Sequence, residues 1–139
     1  MAQTLSSRSI KVLVVDDDVD LREMLTEALS DHGYRVAIAH DGASALNRLK
    51  QEPFDMVVTD MNMPGINGIE LLTNIYRARM NVTPILMSSS LNETVRAQAG
   101  RLGAYAAIDK PFSCAHLFSL IENSCRQRTK ADNHQANVA

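Results

Sequence analysis

Residues 10–18, Ile-Lys-Val-Leu-Val-Val-Asp-Asp-Asp, decide the fold of this chain. The segment is a nearly continuous apolar run that ends in three consecutive carboxylates. A short run rich in valine and isoleucine is typical of a β-strand that is covered on both faces. Strands of this kind belong to parallel sheets, whose ligands bind beyond the carboxyl ends of the strands. The acidic triplet therefore lies where a functional site is expected.

Apolar segments alternate with amphipathic helices along the rest of the chain. The predicted later strands are Tyr34–Ala39, Phe54–Thr59, Pro84–Ser88 and Tyr105–Asp109. A helical pattern follows each strand, with Asp41 and Ser113 as predicted caps and a capping-box pattern over 90–93. The predicted inward face of the first helix consists of Leu21, Met24, Leu25, Ala28 and Leu29. This (βα)₅ order predicts an α/β domain over residues 10–127, with a parallel sheet and helices on both faces. Residues 1–9 and 128–139 are polar and aperiodic, so we predict a flexible N-terminus and a flexible tail.

The bulk composition excludes several classes of protein. The chain has 139 residues, of which 45% are hydrophobic, and this suits one domain with one sizeable core. A net charge of -2 predicts affinity neither for nucleic acid nor for an anionic membrane. No apolar run approaches the roughly 20 residues of a membrane span, and the N-terminus has no secretory apolar segment. We therefore expect a cytoplasmic protein, in which Cys114 and Cys125 are reduced.

Chemically active side chains stand just after four of the five predicted strands. Asp16, Asp17 and Asp18 follow the first strand and Asp60 the third. Ser88, Ser89 and Ser90 end the fourth strand, and Lys110 comes directly after the fifth. Because the carboxyl ends of parallel strands share one edge of the sheet, these groups are expected to converge.

A convergence of this kind has a specific chemical use. Neighbouring carboxylates repel by roughly 1 kcal/mol per pair in water, and a hard divalent cation removes the conflict. Mg²⁺ suits the oxygen ligands, and Mn²⁺ would also be accepted. Asp18 taken alone is interpreted as a helix cap, Lys110 as a solvated charge and Ser89 as an ordinary strand-terminal serine. Together with Asp60, however, an ammonium, a hydroxyl and a cation form a site for phosphoryl transfer.

At this point the sequence resembles the receiver domains of two-component response regulators. The resemblance covers roughly residues 9–127 and rests on four motifs in order: VVDDD at 14–18, DMNMPGINGIEL at 60–71, PILMSSS at 84–90 and DKPF at 109–112. It implies a flavodoxin-like fold with strand order 2-1-3-4-5. It also implies a cis peptide bond between Lys110 and Pro111, and a loop shaped by the turn residues Pro64, Gly65 and Gly68.

The resemblance also implies a role for each site residue. Asp60 would be the phosphoacceptor, taking its phosphoryl group from a phosphohistidine on a sensor histidine kinase or phosphotransfer protein. Self-catalysed phosphotransfer and autodephosphorylation would be its only chemistry, so the protein would not be a conventional enzyme. Ser89 and Lys110 would contact the phosphoryl oxygens. The implied metal ligands are Asp16, Asp17, Asp60 and the backbone carbonyl of Asn62.

Three positions depart from the usual receiver pattern. Ala107 stands where many receivers carry an aromatic side chain that responds to phosphorylation, and Tyr105 shares its strand face two positions earlier. Asp109 replaces a residue that is usually apolar, and both pairing with a cation and simple solvation remain open for it. Leu91 replaces a common polar group, and our hypothesis is that it hinders the attacking water and prolongs the acyl phosphate.

The output expected from such a chain is a protein contact. By analogy, the fourth helix, fifth strand and fifth helix (about 92–125) would dock a downstream partner or a second copy of the chain. Two alternatives are a degenerate receiver that acts only as a binding module and a small phosphatase with an aspartate nucleophile. The second rests on a superficial similarity of Asp16-x-Asp18 to the haloacid dehalogenase class, and it leaves Asp60 unexplained.

Overall fold

Five parallel strands and five helices alternate along the described part of the chain. The computed structural model describes the backbone of residues 9–138 and the side chains of residues 9–127. The strands are β1 (Lys11–Val15), β2 (Arg35–Ala39), β3 (Met56–Asp60), β4 (Thr83–Ser88) and β5 (Ala106–Asp109). The helices are α1 (Val19–Asp31), α2 (Gly42–Gln51), α3 (Gly68–Arg77), α4 (Glu93–Arg101) and α5 (Cys114–Val138). The predicted (βα)₅ order is confirmed.

The sheet has the strand order β2-β1-β3-β4-β5, and all of its pairs are parallel. Its register aligns the carboxyl ends of the strands: Val15 pairs with both Ala39 and Thr59, and Ser88 pairs with Asp109. The strand order reverses between β1 and β3, where such sheets form their ligand crevice. The acidic residues after β1 and at the end of β3 therefore lie side by side.

Alternate residues of β1 pack into two different hydrophobic cores, one on each face of the sheet. Val12 and Val14 pack on one face of the sheet with Leu25 of α1 and Leu117 of α5. Leu13 and Val15 pack on the opposite face with residues of α2 and α3, among them Ala45, Leu71 and Ile75. These four residues of β1 are fully buried, which explains why the strand is a nearly unbroken apolar run. A third cluster under α4 contains Leu72, Leu86, Ala99 and Ala107.

Short polar side chains cap the N-termini of the helices, although one cap differs from the residue predicted from the sequence. Asp18 and Asp41 are confirmed as caps of α1 and α2, and the Ser113 hydroxyl accepts a hydrogen bond from the backbone of His116 at the start of α5. The capping box predicted over 90–93 is wrong. The N-cap of α4 is Asn92, whose side chain accepts from the backbone N–H of Val95. The backbone N–H of Ser90, which the predicted capping box would use, bonds the Ser88 hydroxyl instead.

Other local expectations have mixed outcomes. The peptide bond between Lys110 and Pro111 is cis, as the resemblance implies. Met24 belongs to the apolar stripe of α1, yet its side chain is 47% exposed, because Leu25 and Leu29 fill the contact with the sheet. The helix α5 continues to Val138, so most of the predicted tail over 128–139 is helical, while its flexibility stays a prediction. The predicted flexible N-terminus falls outside the described residues, apart from Ser9.

Among the described residues, no helix combines the length and the apolar character that crossing a membrane requires.

Candidate acidic site at the carboxyl edge of the sheet

Three carboxylates meet at the edge that the topology predicts. Oxygens of Asp16, Asp17 and Asp60 lie within 4.8 Å of one another. Asp16 is fully buried and Asp60 is 6% exposed, whereas Asp17 is open to solvent. The site thus has two enclosed carboxylates and one that faces water.

Lys110 lies between the two enclosed carboxylates. Its Nζ is 3.1 Å from Oδ1 of Asp60 and 3.2 Å from Oδ2 of Asp16. The backbone N–H of Lys110 donates to the carbonyl of Ser88 at 2.9 Å, which ties the end of β5 to the end of β4. This bond places the lysine at the edge of the sheet, from which its side chain reaches across β4 to β3.

Burial and charge act against each other on these groups. Burial raises the pKa of the Asp60 carboxyl, and the Asp16 charge adds to the effect, while Lys110 and the backbone N–H of Asn62 oppose it without cancelling it. Burial alone would lower the pKa of Lys110, but hydrogen bonds and charges from Asp60 and Asp16 outweigh it and raise that pKa. Lys110 therefore stays an ammonium, and three carboxylates face a single cation.

The carboxylates fit a divalent cation. Three carboxylates, of which Asp17 faces water, stand against one ammonium and give a formal charge of −2, and such an arrangement favours Mg²⁺ with its oxygen ligands. The backbone N–H of Asn62 hydrogen-bonds the Asp60 carboxylate, so the main chain of this predicted ligand lies beside the pocket. Ligation by the Asn62 carbonyl stays a prediction.

Ser89 follows β4 directly, and its side chain is exposed. The last residue of β4, Ser88, pairs in register with Asp109, the residue before Lys110. Ser89 and Lys110 are thus successors of paired residues at the same edge of the sheet. Both residues therefore lie at the carboxyl edge of the sheet, and contact of Ser89 with a phosphoryl group stays a prediction.

Arg22 and Gly68 hold this site in place, and the sequence indicated this role for neither of them. The guanidinium Nη1 of Arg22, on α1, donates to the backbone carbonyl of Asp16 at 2.9 Å. A Cβ atom at Gly68 would lie 2.5 Å from the backbone oxygen of Asp60, so the absent side chain lets α3 begin against β3. Gly68 was predicted as a turn residue; it is the first residue of α3, whereas Gly65 has the left-handed φ of +73° that a turn requires.

The helix that begins at Gly68 also has a signal that sequence reasoning missed. The Asn67 side chain accepts from the backbone N–H of Glu70, and the Glu70 carboxylate accepts from that of Asn67. These two bonds form a capping box, which the sequence pattern Asn-x-x-Glu at 67–70 indicates. It fixes the start of α3 next to Asp60.

The sheet order and the acidic edge define a flavodoxin-like domain with a cluster of carboxylates at the carboxyl ends of its strands. A protein-family model described as the response regulator receiver domain matches residues 12–122. The chemotaxis protein CheY-3 of Vibrio cholerae is 40% identical over 120 residues, which cover 83% of this chain and 91% of that protein. The chain therefore belongs to the family of response regulator receiver domains.

Further relatives agree with this assignment. A CpxR homolog of Haemophilus influenzae, named as a transcriptional regulatory protein, is 34% identical over 129 residues, which cover 92% of this chain. The chain spans about half the length of that protein and of two other curated regulators that it matches. The solved structure of V. cholerae CheY4 superposes with a TM-score of 0.77 at 28% identity, covering 82% of this chain and 97% of its own.

Proposed function

We propose that this receiver domain accepts a phosphoryl group on Asp60 from a phosphohistidine of a sensor histidine kinase or a phosphotransfer protein. The observation that carries the proposal is the position of Lys110, whose ammonium lies within 3.2 Å of both enclosed carboxylates. An ammonium held beside a buried carboxylate can bind phosphoryl oxygens as soon as they arrive.

The transfer follows from the groups present. A carboxylate oxygen of Asp60 attacks phosphorus, the bond from phosphorus to the histidine nitrogen breaks, and its electron pair returns to that nitrogen. Lys110 exchanges part of its contact with Asp60 for a phosphoryl oxygen, and the Ser89 hydroxyl donates to another. Asp16, Asp17, Asp60 and the Asn62 carbonyl would hold Mg²⁺, which would neutralise charge on the phosphoryl group when bound. Autodephosphorylation transfers the group from Asp60 to water and restores the carboxylate.

The burial of Asp60 suits this role. A nucleophile that has lost most of its hydration needs less solvent reorganisation when it reacts, and fixed charges replace the water. The phosphatase alternative fits less well, because its nucleophile would be Asp16. That carboxylate is fully buried, and its two oxygens accept from the backbone N–H of Asp18 at 2.9 Å and from Lys110 at 3.2 Å.

The output would come from protein contacts. We propose the surface formed by α4, β5 and α5 as the place where a downstream protein or a second copy of the chain docks. A cleft of about 430 Å³ on this surface is lined by residues of all three elements, among them Arg96, Ala107 and His116. Phosphorylation would shift an existing equilibrium between two forms of this surface. The cytoplasmic location stays a prediction.

Acetyl phosphate tests the acceptor chemistry without a kinase. With Mg²⁺, intact-mass measurement should record the addition of one phosphoryl group, and Asp60→Asn should abolish it. The matched control is Asp31→Asn, which removes an exposed carboxylate at the end of α1 and should leave labelling unchanged. Labelling that persists in Asp60→Asn would show that the acceptor is another residue.

A further inference from the structure

Arg96 on α4 contacts both departures of β5 from the usual receiver pattern. Its Nη1 donates to the backbone carbonyl of Ala107 at 2.8 Å. Its Nη2 lies 3.7 Å from Oδ2 of Asp109. One side chain thus binds the strand beside the missing aromatic residue and pairs with the carboxylate that replaces an apolar residue. The question that the sequence left open for Asp109 is settled in favour of pairing.

The space beside Ala107 explains why an arginine can reach the strand. Ala107 and Arg96 both line the cleft of about 430 Å³ between α4 and α5. A larger side chain at position 107 would occupy part of this cleft. With alanine there, the guanidinium approaches the backbone of β5 directly. Tyr105 also lines the cleft, but its backbone N–H bonds the carbonyl of Pro84 near the amino end of β4. Tyr105 therefore lies toward the amino edge of the sheet, away from the acidic site at the carboxyl edge.

The ion pair of Arg96 and Asp109 is one peptide bond away from Lys110 of the phosphoacceptor site. Asp109 precedes Lys110, whose ammonium lies 3.1 Å from Asp60. A phosphoryl group that drew Lys110 toward its oxygens would pull on the end of β5, and Asp109 is the residue of β5 next to that pull. The Arg96 and Asp109 side chains are 50% and 65% exposed, and a solvated ion pair at 3.7 Å is weak enough to form or break in response.

We infer that Arg96 is a positioning residue that couples α4 to the phosphoacceptor site, in the place of the absent aromatic side chain. Its hold on Ala107 and Asp109 fixes α4 against the end of β5, and a change at Lys110 alters that hold. This inference rests on the proposed function of Asp60. Because coupling is reciprocal, removing Arg96 should change both the resting order of α4 and its response to an occupied site.

Amide hydrogen exchange of residues 93–101 tests the coupling, with beryllofluoride and Mg²⁺ as the phosphoryl mimic. Arg96→Gln should exchange these amides roughly 2-fold to 10-fold faster than wild type in the absence of the mimic, as expected for the loss of a hydrogen bond. In wild type, beryllofluoride should change the exchange of α4. In Arg96→Gln that response should be lost. Changes in the NMR chemical shifts of the Asp60 and Lys110 amides should show that the mimic still binds to this variant.

The matched control is Arg101→Gln, which removes the same charge from an exposed position on the same helix. It should behave as wild type in both conditions. Asp109→Asn should reproduce the loss of the response, and the double variant Arg96→Gln/Asp109→Asn should lose no more than Arg96→Gln alone.

The possible outcomes separate this inference from the proposed function. An α4 response that survives in Arg96→Gln, or that is absent in wild type with beryllofluoride bound, overturns the coupling and leaves the acceptor chemistry intact. Failure of beryllofluoride to bind wild type removes the proposed function instead. In that case, amide exchange of α4 without the mimic is compared between Arg96→Gln and Arg101→Gln. Equal exchange rates in the two variants would overturn the role of Arg96 in stabilising α4.

Discussion

Gly68→Ala should damage both the stability of the domain and its acceptor site. The added Cβ would lie 2.5 Å from the oxygen of Asp60, 2.7 Å from Cα of Met61 and 2.8 Å from Cδ1 of Leu86. Ordinary contacts are 3.4–4 Å, so the atom is about 1 Å too close to the acceptor's own backbone. Two of the three obstacles are backbone atoms, and these cannot turn away as a side chain could.

The magnitude follows from this crowding. Overpacking a buried site typically costs 1–3 kcal/mol, and two backbone contacts place this case at roughly 2–3 kcal/mol. A displacement of about 1 Å at the reacting group can also reduce a rate by roughly 100-fold. We therefore expect Gly68→Ala to lower the free energy of unfolding and to slow labelling of Asp60 by acetyl phosphate by about 10-fold to 100-fold.

Urea denaturation followed by circular dichroism measures the first effect, and intact-mass kinetics the second. The control is Gly100→Ala, at the exposed penultimate residue of α4, where an added Cβ meets nothing within 4 Å. That variant should gain up to about 1 kcal/mol from helix propensity and should label normally. If Gly68→Ala is as stable as Gly100→Ala and labels at the wild-type rate, the steric account of α3 and Asp60 is refuted.

Three further predictions concern other parts of the domain. Asp17→Asn should weaken Mg²⁺ binding by calorimetry while leaving the free energy of unfolding within about 0.5 kcal/mol, because Asp17 is exposed; unchanged affinity would remove it from the ligand set. Leu91→Glu should shorten the life of the acyl phosphate, and equal rates of dephosphorylation would reject the water-exclusion hypothesis. Burial, with the charges of Glu122 and Cys125, raises the pKa of Tyr34 to about 12. The unfolded chain then loses its tyrosine proton first, near pH 10, so this contribution to stability is lost between about pH 10 and 12; Tyr34→Phe should abolish that loss, and an unchanged alkaline profile would contradict it.

Local patterns were sufficient to predict the fold and the convergence of the acidic site. Apolar runs of the right length predicted all five strands, and the parallel topology brought Asp16, Asp17 and Asp60 together without any tertiary information. Both inferences depend on the shared carboxyl edge of a parallel sheet, which holds for any sequence of this pattern.

What escaped prediction depends on how elements pack at an angle. Arg22 and Arg96 are ordinary surface arginines in the sequence, and their backbone acceptors are known only once α1 and α4 are docked on the sheet. The role of Gly68 depends on how closely α3 begins to β3. The inward prediction for Met24 failed because helical periodicity defines a stripe but not which of its members the sheet covers.

Asp16 is engaged through every polar group that it has. Its N–H donates to Ala39 of β2, its carbonyl accepts from Arg22 of α1, and its carboxylate accepts from Asp18 and Lys110. The residue therefore acts as a joint between three elements as well as a predicted metal ligand. Replacing its carboxylate removes the bonds to Asp18 and Lys110 together with the predicted metal ligand, so the loss of phosphorylation in an Asp16 variant says little about metal binding. Asp17 has an exposed carboxylate, so a substitution at this position can change the affinity for the metal ion without disturbing the fold.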